Sequence, residues 1–127
     1  MSKLPLPTDA ELDILAAIWR LGPSTVREIH EALGKESGYT TTLKQMQVMT
    51  EKGLLVRSER FRSHVYEAAE SKEQTRKRIA GDLLKRAFNG SAAILLMGAL
   101  TARHASPDEL EEIRRMLDRF ETRKGKR

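Results

Sequence analysis

The sequence predicts a mainly helical protein that contains one small β-hairpin. Apolar residues recur at helical spacing in several separate segments, and these segments begin with residues typical of helix N-termini. Only between residues 54 and 66 does the pattern favour strands. One Trp, two Tyr and three Phe are too few for an aromatic core, so the core must depend on Leu, Ile, Val, Met and Ala.

Two capping boxes predict the first two helices. Thr8 and Glu11 have the spacing at which each side chain bonds the other residue's backbone, and an apolar stripe follows. Thr25 and Glu28 repeat the pattern, and Gly34 follows the second stripe, where a left-handed cap is expected. The first 34 residues therefore predict two consecutive helices.

A third helix is predicted from Tyr39 or Thr40 to Lys52, and Gly53 has the position of its C-cap. At helical spacing the side chains of Leu43, Met46 and Met49 face the core. The opposite face then carries Thr41, Lys44, Gln45 and Val48.

After Gly53 the β-prone segments 54–56 and 65–66 predict a hairpin, and the residues between them, 57–64, form a basic tip. Three helices followed by a two-stranded hairpin are the order of a winged helix-turn-helix, in which the third helix enters the DNA major groove. The hairpin is the wing.

The second half is predicted to be helical throughout. One long helix begins near Ser71 and ends at Asn89-Gly90, a short apolar helix runs from Ser91 to about Ala102, and a last helix begins at Ser106-Pro107. We predict a winged helix-turn-helix DNA-binding domain over 1–70, a helical dimerisation domain over 71–122 and a frayed basic tail over 123–127.

The two later helices expose more apolar surface than a short helical arm can bury by itself. A second copy of the chain is the natural acceptor, so we expect a homodimer. The residues expected to form its interface are Ile94, Leu95, Leu110, Ile113, Leu117 and Phe120.

Composition excludes several functional classes. The 127 residues include no Cys, which rules out disulfides, thiolate metal ligands and thiol nucleophiles. No apolar run is long enough to span a bilayer, so we expect a cytoplasmic protein with no membrane partner. No motif typical of catalysis or of phosphate or metal binding is present, and we expect no enzyme activity, no cofactor and no metal site.

The net charge of +5 lies mostly in the second half of the chain. Residues 1–70 sum to −1 and residues 71–127 to +6. Around the wing, however, Lys52 and three arginines face a single acid, Glu59, and this local excess favours an anionic partner.

The predicted fold assigns DNA contacts to two elements. Thr40, Thr41 and Thr42 start the third helix, where backbone N–H groups and hydroxyls can bind phosphate. Lys44 and Gln45 come about one turn later and have the chemistry to read base edges. At the wing tip, Arg60, Arg62 and His64 are expected to reach the DNA backbone or the minor groove.

Several segments together resemble the bacterial penicillinase-repressor (BlaI/MecI) family, and the resemblance extends from about Thr8 to Leu117. The segments that carry it are 4–15, Ile18-Trp19, 39–43, 50–54 and 106–113. The resemblance implies a dimeric, sequence-specific transcriptional repressor that binds a pseudo-palindromic operator and dissociates on induction.

The resemblance leaves the inducer unknown, and an inactivating protease or sensor is a further partner that it suggests. Resistance-type members are cut at an Asn-Phe bond, and the aligned position here is Gly98-Ala99. Copper-sensing members use a Cys-rich tail, which this chain lacks.

Two other functions stay open at this point. Winged helices also serve as protein–protein interaction modules, in which the polar face of the third helix would not be needed for DNA retention. A ligand-sensing winged-helix regulator would instead have an effector pocket between the arm and the winged domain.

Overall fold

The computed structural model describes residues 4–34, 38–60 and 62–125. Its contacts divide the chain into two compact units, Met1–Asp82 and Leu83–Arg127. The mainly helical winged helix-turn-helix fold that the sequence predicts is confirmed. The elements are, in chain order, α1 (Asp9–Leu21), α2 (Val26–Leu33), α3 (Tyr39–Lys52), β1 (Leu55–Arg60), β2 (Ser63–Ala68), α4 (Lys72–Ala87), α5 (Ala92–Ala102) and α6 (Pro107–Gly125).

Both predicted capping boxes are present. The Thr8 N–H donates to Glu11 Oε1 over 3.0 Å, and the Glu11 N–H donates to Thr8 Oγ1 over 3.2 Å. Thr25 and Glu28 make the same reciprocal pair at the start of α2. Gly34 ends α2 in the left-handed conformation, with φ +58°, as its position in the sequence predicts.

The first unit is built around one core, to which the three helices and the hairpin all contribute. Ile14, Ile29, Met46 and Met49 are completely buried, and Tyr66 of β2 is 1% exposed. Ser24, between α1 and α2, exchanges two backbone hydrogen bonds with Tyr66, of 3.0 and 2.8 Å. The wing is therefore fixed to the helices by backbone as well as by packing.

The wing is longer than the sequence predicts. Strand residues were expected only at 54–56 and 65–66, whereas the register continues from Leu55 opposite Ala68 to Arg60 opposite Ser63. Only positions 61–62 lie between the paired strands, so the prediction that the tip spans residues 57–64 is wrong in length. All of β1 after Leu55 is exposed and polar except Val56, so its strand form depends on the backbone ladder and gives little signal in the sequence.

Glu70 connects the end of the wing domain to the first helix and to α4. Its backbone oxygen accepts the indole N–H of Trp19 over 3.1 Å, and its carboxylate accepts from Thr75 and from Arg78. Arg78 also donates to the backbone oxygen of Leu4 over 2.9 Å. The first turns of α4 thereby belong to the winged unit.

In the second unit, serine caps the starts of two helices. The Ser91 hydroxyl accepts from the Ile94 N–H, and the Ser106 hydroxyl accepts from the Glu109 N–H, both over 3.1 Å. α6 continues to Gly125, into the segment predicted as a frayed tail, while residues 126–127 lie outside the described residues.

Among the described residues, no single helix is long and apolar enough to cross a membrane, although α4 and α5 pass together as a bent pair on length and composition alone.

Candidate DNA-binding surface

The start of α3 differs from the starts of α1 and α2. Its N-cap is Gly38, which has no side chain to accept a hydrogen bond, and no acidic residue lies in its first turn. In the other two helices a threonine caps the N-terminus and acidic residues lie nearby. Among the described residues, the N–H groups of Thr41 and Thr42 donate to the Gly38 oxygen, which leaves the N–H groups of Tyr39 and Thr40 and the positive dipole end of α3 for an external anion such as phosphate.

The side chains predicted to bind DNA from α3 are placed in three ways. Thr40, Thr41 and Lys44 are exposed, Gln45 is half-buried, and Thr42 is completely buried. The structure thus leaves two of the three threonines beside the uncapped helix start, with Lys44 about one turn further along the helix.

Thr42 is directed into the domain and not to its surface. Its Oγ1 lies 2.8 Å from His30 Nδ1 of α2, and its side chain has no solvent exposure. In a run of three threonines the helix period places one on the core side, and that residue is Thr42. Its hydroxyl connects α2 to α3 and is not presented to a DNA phosphate.

Gln47 is a residue of this surface that the sequence interpretation missed. It is exposed, and the spacing of Thr40, Lys44 and Gln47 is i, i+4, i+7, which places the three on one row of α3. This helical spacing was the one feature of the sequence that could have indicated Gln47. Lys44 and Gln47 together offer hydrogen-bonding groups of the kind that read base edges in the major groove.

Arg62 gives the wing tip a cation in an unusual backbone conformation. Its φ is +67°, in the left-handed region that two-residue hairpin connections use and that glycine or asparagine usually occupies. Arg60, Arg62 and His64 are all exposed. The strand register places Arg60 on the opposite face of the hairpin from His64, so these side chains do not form one cluster.

A groove of about 350 Å³ lies where the starts of α2 and α3 meet β2, and its lining includes Arg27, Tyr39, Ser63 and His64. The Arg27 guanidinium lies 5.1 Å from the centre of the Tyr39 ring, within cation–π distance. The predicted residue His64 is therefore joined by Arg27 of α2, which nothing in the sequence pattern distinguished from an ordinary surface residue.

Lys52 was counted among the positive charges around the wing, but in the structure its charge is paired with an acidic residue of α1. Its Nζ lies 2.7 Å from Glu11 Oε2, in a bridge between α3 and α1. Burial alone would raise the pKa of Glu11, but the hydrogen bonds from Lys52 and Thr8 outweigh it and hold that pKa below its usual range. The positive charge of the wing consequently depends on Arg57, Arg60 and Arg62.

The residues predicted for dimerisation lie on the surface of the second unit. Leu95, Leu110 and Ile113 are half-buried, whereas Ile94, Leu117 and Phe120 are exposed. Met97 and Met116 are also exposed apolar residues, and the sequence interpretation did not include them. No residue from 83 to 122 is buried, so the described side chains of this unit form no closed core.

In the described ranges, no three His, Asp or Glu side chains are arranged to hold a metal ion.

Comparison with known proteins gives consistent matches over most of the chain. A family model described as penicillinase repressor matches residues 7–119. The transcriptional regulator BlaI of Mycobacterium tuberculosis is 28% identical over 130 residues, covering 100% of this chain and 94% of its own. The penicillinase repressor of Bacillus licheniformis is 25% identical over 126 residues, covering 98% of each chain.

One solved structure that the chain matches is that of monomeric Bacillus licheniformis BlaI in complex with the blaP half-operator. It is 27% identical, covers 57% of this chain and 92% of its own, and has a TM-score of 0.49.

Proposed function

This chain belongs to the penicillinase repressor family and is a DNA-binding transcriptional repressor, and we propose that it acts as a homodimer on a pseudo-palindromic operator. The family is the one that the sequence motifs predict. The observation that carries the proposal for the DNA contacts is the exposed polar row of α3 beside an uncapped helix start.

In the proposed complex, α3 lies in the major groove and reads the sequence. Lys44 donates to guanine O6 or N7, and Gln47 or Gln45 pairs with the edge of an adenine. Thr40 and Thr41, with the first N–H groups of the helix, bind a backbone phosphate and fix the register. Support comes from the exposure of Thr40, Thr41, Lys44 and Gln47 on neighbouring positions of one helix.

A second phosphate is proposed to bind in the groove lined by Arg27, Tyr39 and His64. An arginine held over a tyrosine ring keeps its N–H groups available, and a guanidinium matches a phosphate in geometry as well as charge. Arg62 at the wing tip, with Arg60, adds contacts to the flanking backbone. These contacts position the protein and carry no sequence information by themselves.

The homodimer is proposed because the second unit exposes large apolar side chains, among them Ile94, Leu117 and Phe120, and has no buried residue between 83 and 122. A twofold dimer buries the same patch from both copies and presents two copies of α3 to the DNA. Two half-sites related by the same symmetry then form the operator. The residues assigned to the interface are those predicted from the sequence: Ile94, Leu95, Leu110, Ile113, Leu117 and Phe120.

The partner that relieves repression enters the proposal only in general form, as an inactivating protease or sensor. Gly98-Ala99 lies within α5, and a protease specific for Asn-Phe would find no such bond at this position. Cleavage there is therefore not part of the proposed mechanism.

Fluorescence anisotropy with labelled DNA from upstream of the chain's own gene tests the proposal. At physiological salt we expect binding at least about a thousandfold tighter than to a shuffled duplex of equal composition. Equal affinity for both duplexes, across fragments that tile the whole upstream region, would contradict sequence-specific repression of its own promoter.

A further inference from the structure

A second groove in the winged unit lies away from the proposed DNA contacts. It has a volume of about 620 Å³ and is bounded by α1 and by the first two turns of α4. That volume falls within the range of small-molecule sites, roughly 300–1,000 Å³. Its apolar lining consists of Leu12, Ala16, Trp19 and Ile79.

The uncharged polar groups of this groove are already used inside the protein. The Trp19 indole N–H donates to the Glu70 backbone oxygen over 3.1 Å, so the ring offers carbon surface only. The Thr75 hydroxyl donates to the Glu70 carboxylate over 3.0 Å, and Thr75 is 2% exposed. An uncharged polar ligand would therefore find little to bond with here.

The remaining polar groups of the groove are all cations. Arg20 comes from α1, and Lys72 and Arg76 come from α4, while no acidic residue belongs to the lining. All three are exposed, and within the described part of the chain none of them forms an ion pair. The carboxylate of Glu70, which accepts the hydrogen bond from Thr75, is itself paired with Arg78 at 2.9 Å.

We propose that this groove binds a small molecule that combines an apolar body with one carboxylate. The body packs on Trp19, Leu12 and Ile79, and the carboxylate lies among the three cations, where charge-assisted hydrogen bonds are available to it. None of the groove residues is among those assigned to DNA or to the dimer, so this binding is independent of the proposed repressor function.

Trp19 is the sole tryptophan of the chain, and its emission reports directly on the groove. The 127-residue chain is titrated with phenylbutyrate as the probe, and with its neutral amide and the corresponding amine in parallel. We expect a saturable change in Trp19 emission with phenylbutyrate, at least about fivefold weaker binding of the amide, and no binding of the amine. Equal responses to all three compounds, or none, would overturn the proposal.

Two variants on α4 distinguish binding in the groove from a general effect of the protein's positive charge. Arg76→Gln is expected to weaken phenylbutyrate binding about fivefold. Lys77→Gln changes the net charge equally at the next, exposed position, which does not line the groove, and should leave binding unchanged. Equal losses in both variants would show nonspecific anion binding and overturn the site. If Trp19 emission instead changed when the free protein was diluted, and did not respond to phenylbutyrate, the groove would be occupied by a second copy of the chain and the proposal would be overturned.

Discussion

Thr42 of α3 and His30 of α2 are joined by a hydrogen bond of 2.8 Å between Thr42 Oγ1 and His30 Nδ1. Thr42 is fully buried and His30 is half-buried, so this bond fixes α3 against α2 inside the domain. The orientation of the proposed recognition helix therefore depends on Thr42, which is buried although the two threonines before it are exposed.

The first prediction separates Thr42 from its neighbour. Thr42→Val keeps the shape but leaves His30 without its partner, and should lower the free energy of unfolding by about 1–2 kcal/mol. Thr41→Val should leave stability within about 0.5 kcal/mol and weaken DNA binding, because Thr41 is exposed beside the helix start. Urea unfolding followed by Trp19 emission and anisotropy with operator DNA measure the two effects. A loss of stability in Thr41→Val equal to that in Thr42→Val would contradict this division.

The second prediction concerns Arg62 at the wing tip. Arg62→Gly removes a cation from a position with φ +67°, where glycine is the less strained residue, so stability should stay equal or rise by up to about 1 kcal/mol. Affinity for DNA should fall similarly for operator and shuffled duplexes. The negative slope of log K against log salt should become shallower by about 1. An unchanged slope would remove Arg62 from the phosphate contacts. Arg103→Gly, at an exposed cation outside the winged unit, provides the control for net charge.

The third prediction follows from the bridge between Glu11 and Lys52. Because the folded protein lowers the pKa of Glu11, this group stabilises the fold above the unfolded pKa of about 4.3 and loses that contribution as the pH falls through the lower folded value. Glu11→Gln should cost about 1–2 kcal/mol near neutral pH and should reduce the acid loss of stability below about pH 4.3. Urea unfolding at several pH values measures this. Parallel stability curves for the two proteins would show that Glu11 does not carry the effect.

The fourth prediction tests the dimer with a matched pair of leucines. Leu117 in α6 is 51% exposed and Leu21 in α1 is 48% exposed. Leu117→Asp should produce monomers in sedimentation velocity and lose operator affinity by more than a single contact would explain, because one half-site binds weakly. Leu21→Asp places the same charge at the same exposure outside the proposed interface and should remain dimeric. Dimers in both variants would show that the interface lies elsewhere.

Local signals in the sequence were enough to predict the helix starts and the fold class. Thr8 with Glu11 and Thr25 with Glu28 form capping boxes whose partners lie three residues apart, so no tertiary information was needed. The length of the wing was not predictable in this way, because the outer parts of β1 and β2 are polar and are paired through their backbones.

The site was predicted less completely than the fold, since side-chain contacts between distant segments decide it. The sequence places Lys52 among the wing cations, because its partner Glu11 lies 41 residues earlier and only the fold brings the two together. No sequence pattern indicated a role for Arg27. Its contact with the Tyr39 ring depends on how α2 packs against α3. Gln47 was accessible from helical spacing alone, because it lies three residues after Lys44.

Paired substitutions on two helices test whether α3 reads the operator sequence. Lys44→Ala combined with Gln47→Ala removes two exposed side chains of α3, and Lys77→Ala combined with Gln74→Ala removes the same residue types at matching spacing from α4.

The decisive measurement is the ratio of operator to shuffled-duplex affinity for both double variants. The α3 variant should lose about a hundredfold or more of this ratio, since each base contact contributes about 1–3 kcal/mol, while the α4 variant keeps it. An α3 variant that folds, dimerises and retains the full ratio would contradict the assignment of sequence recognition to α3.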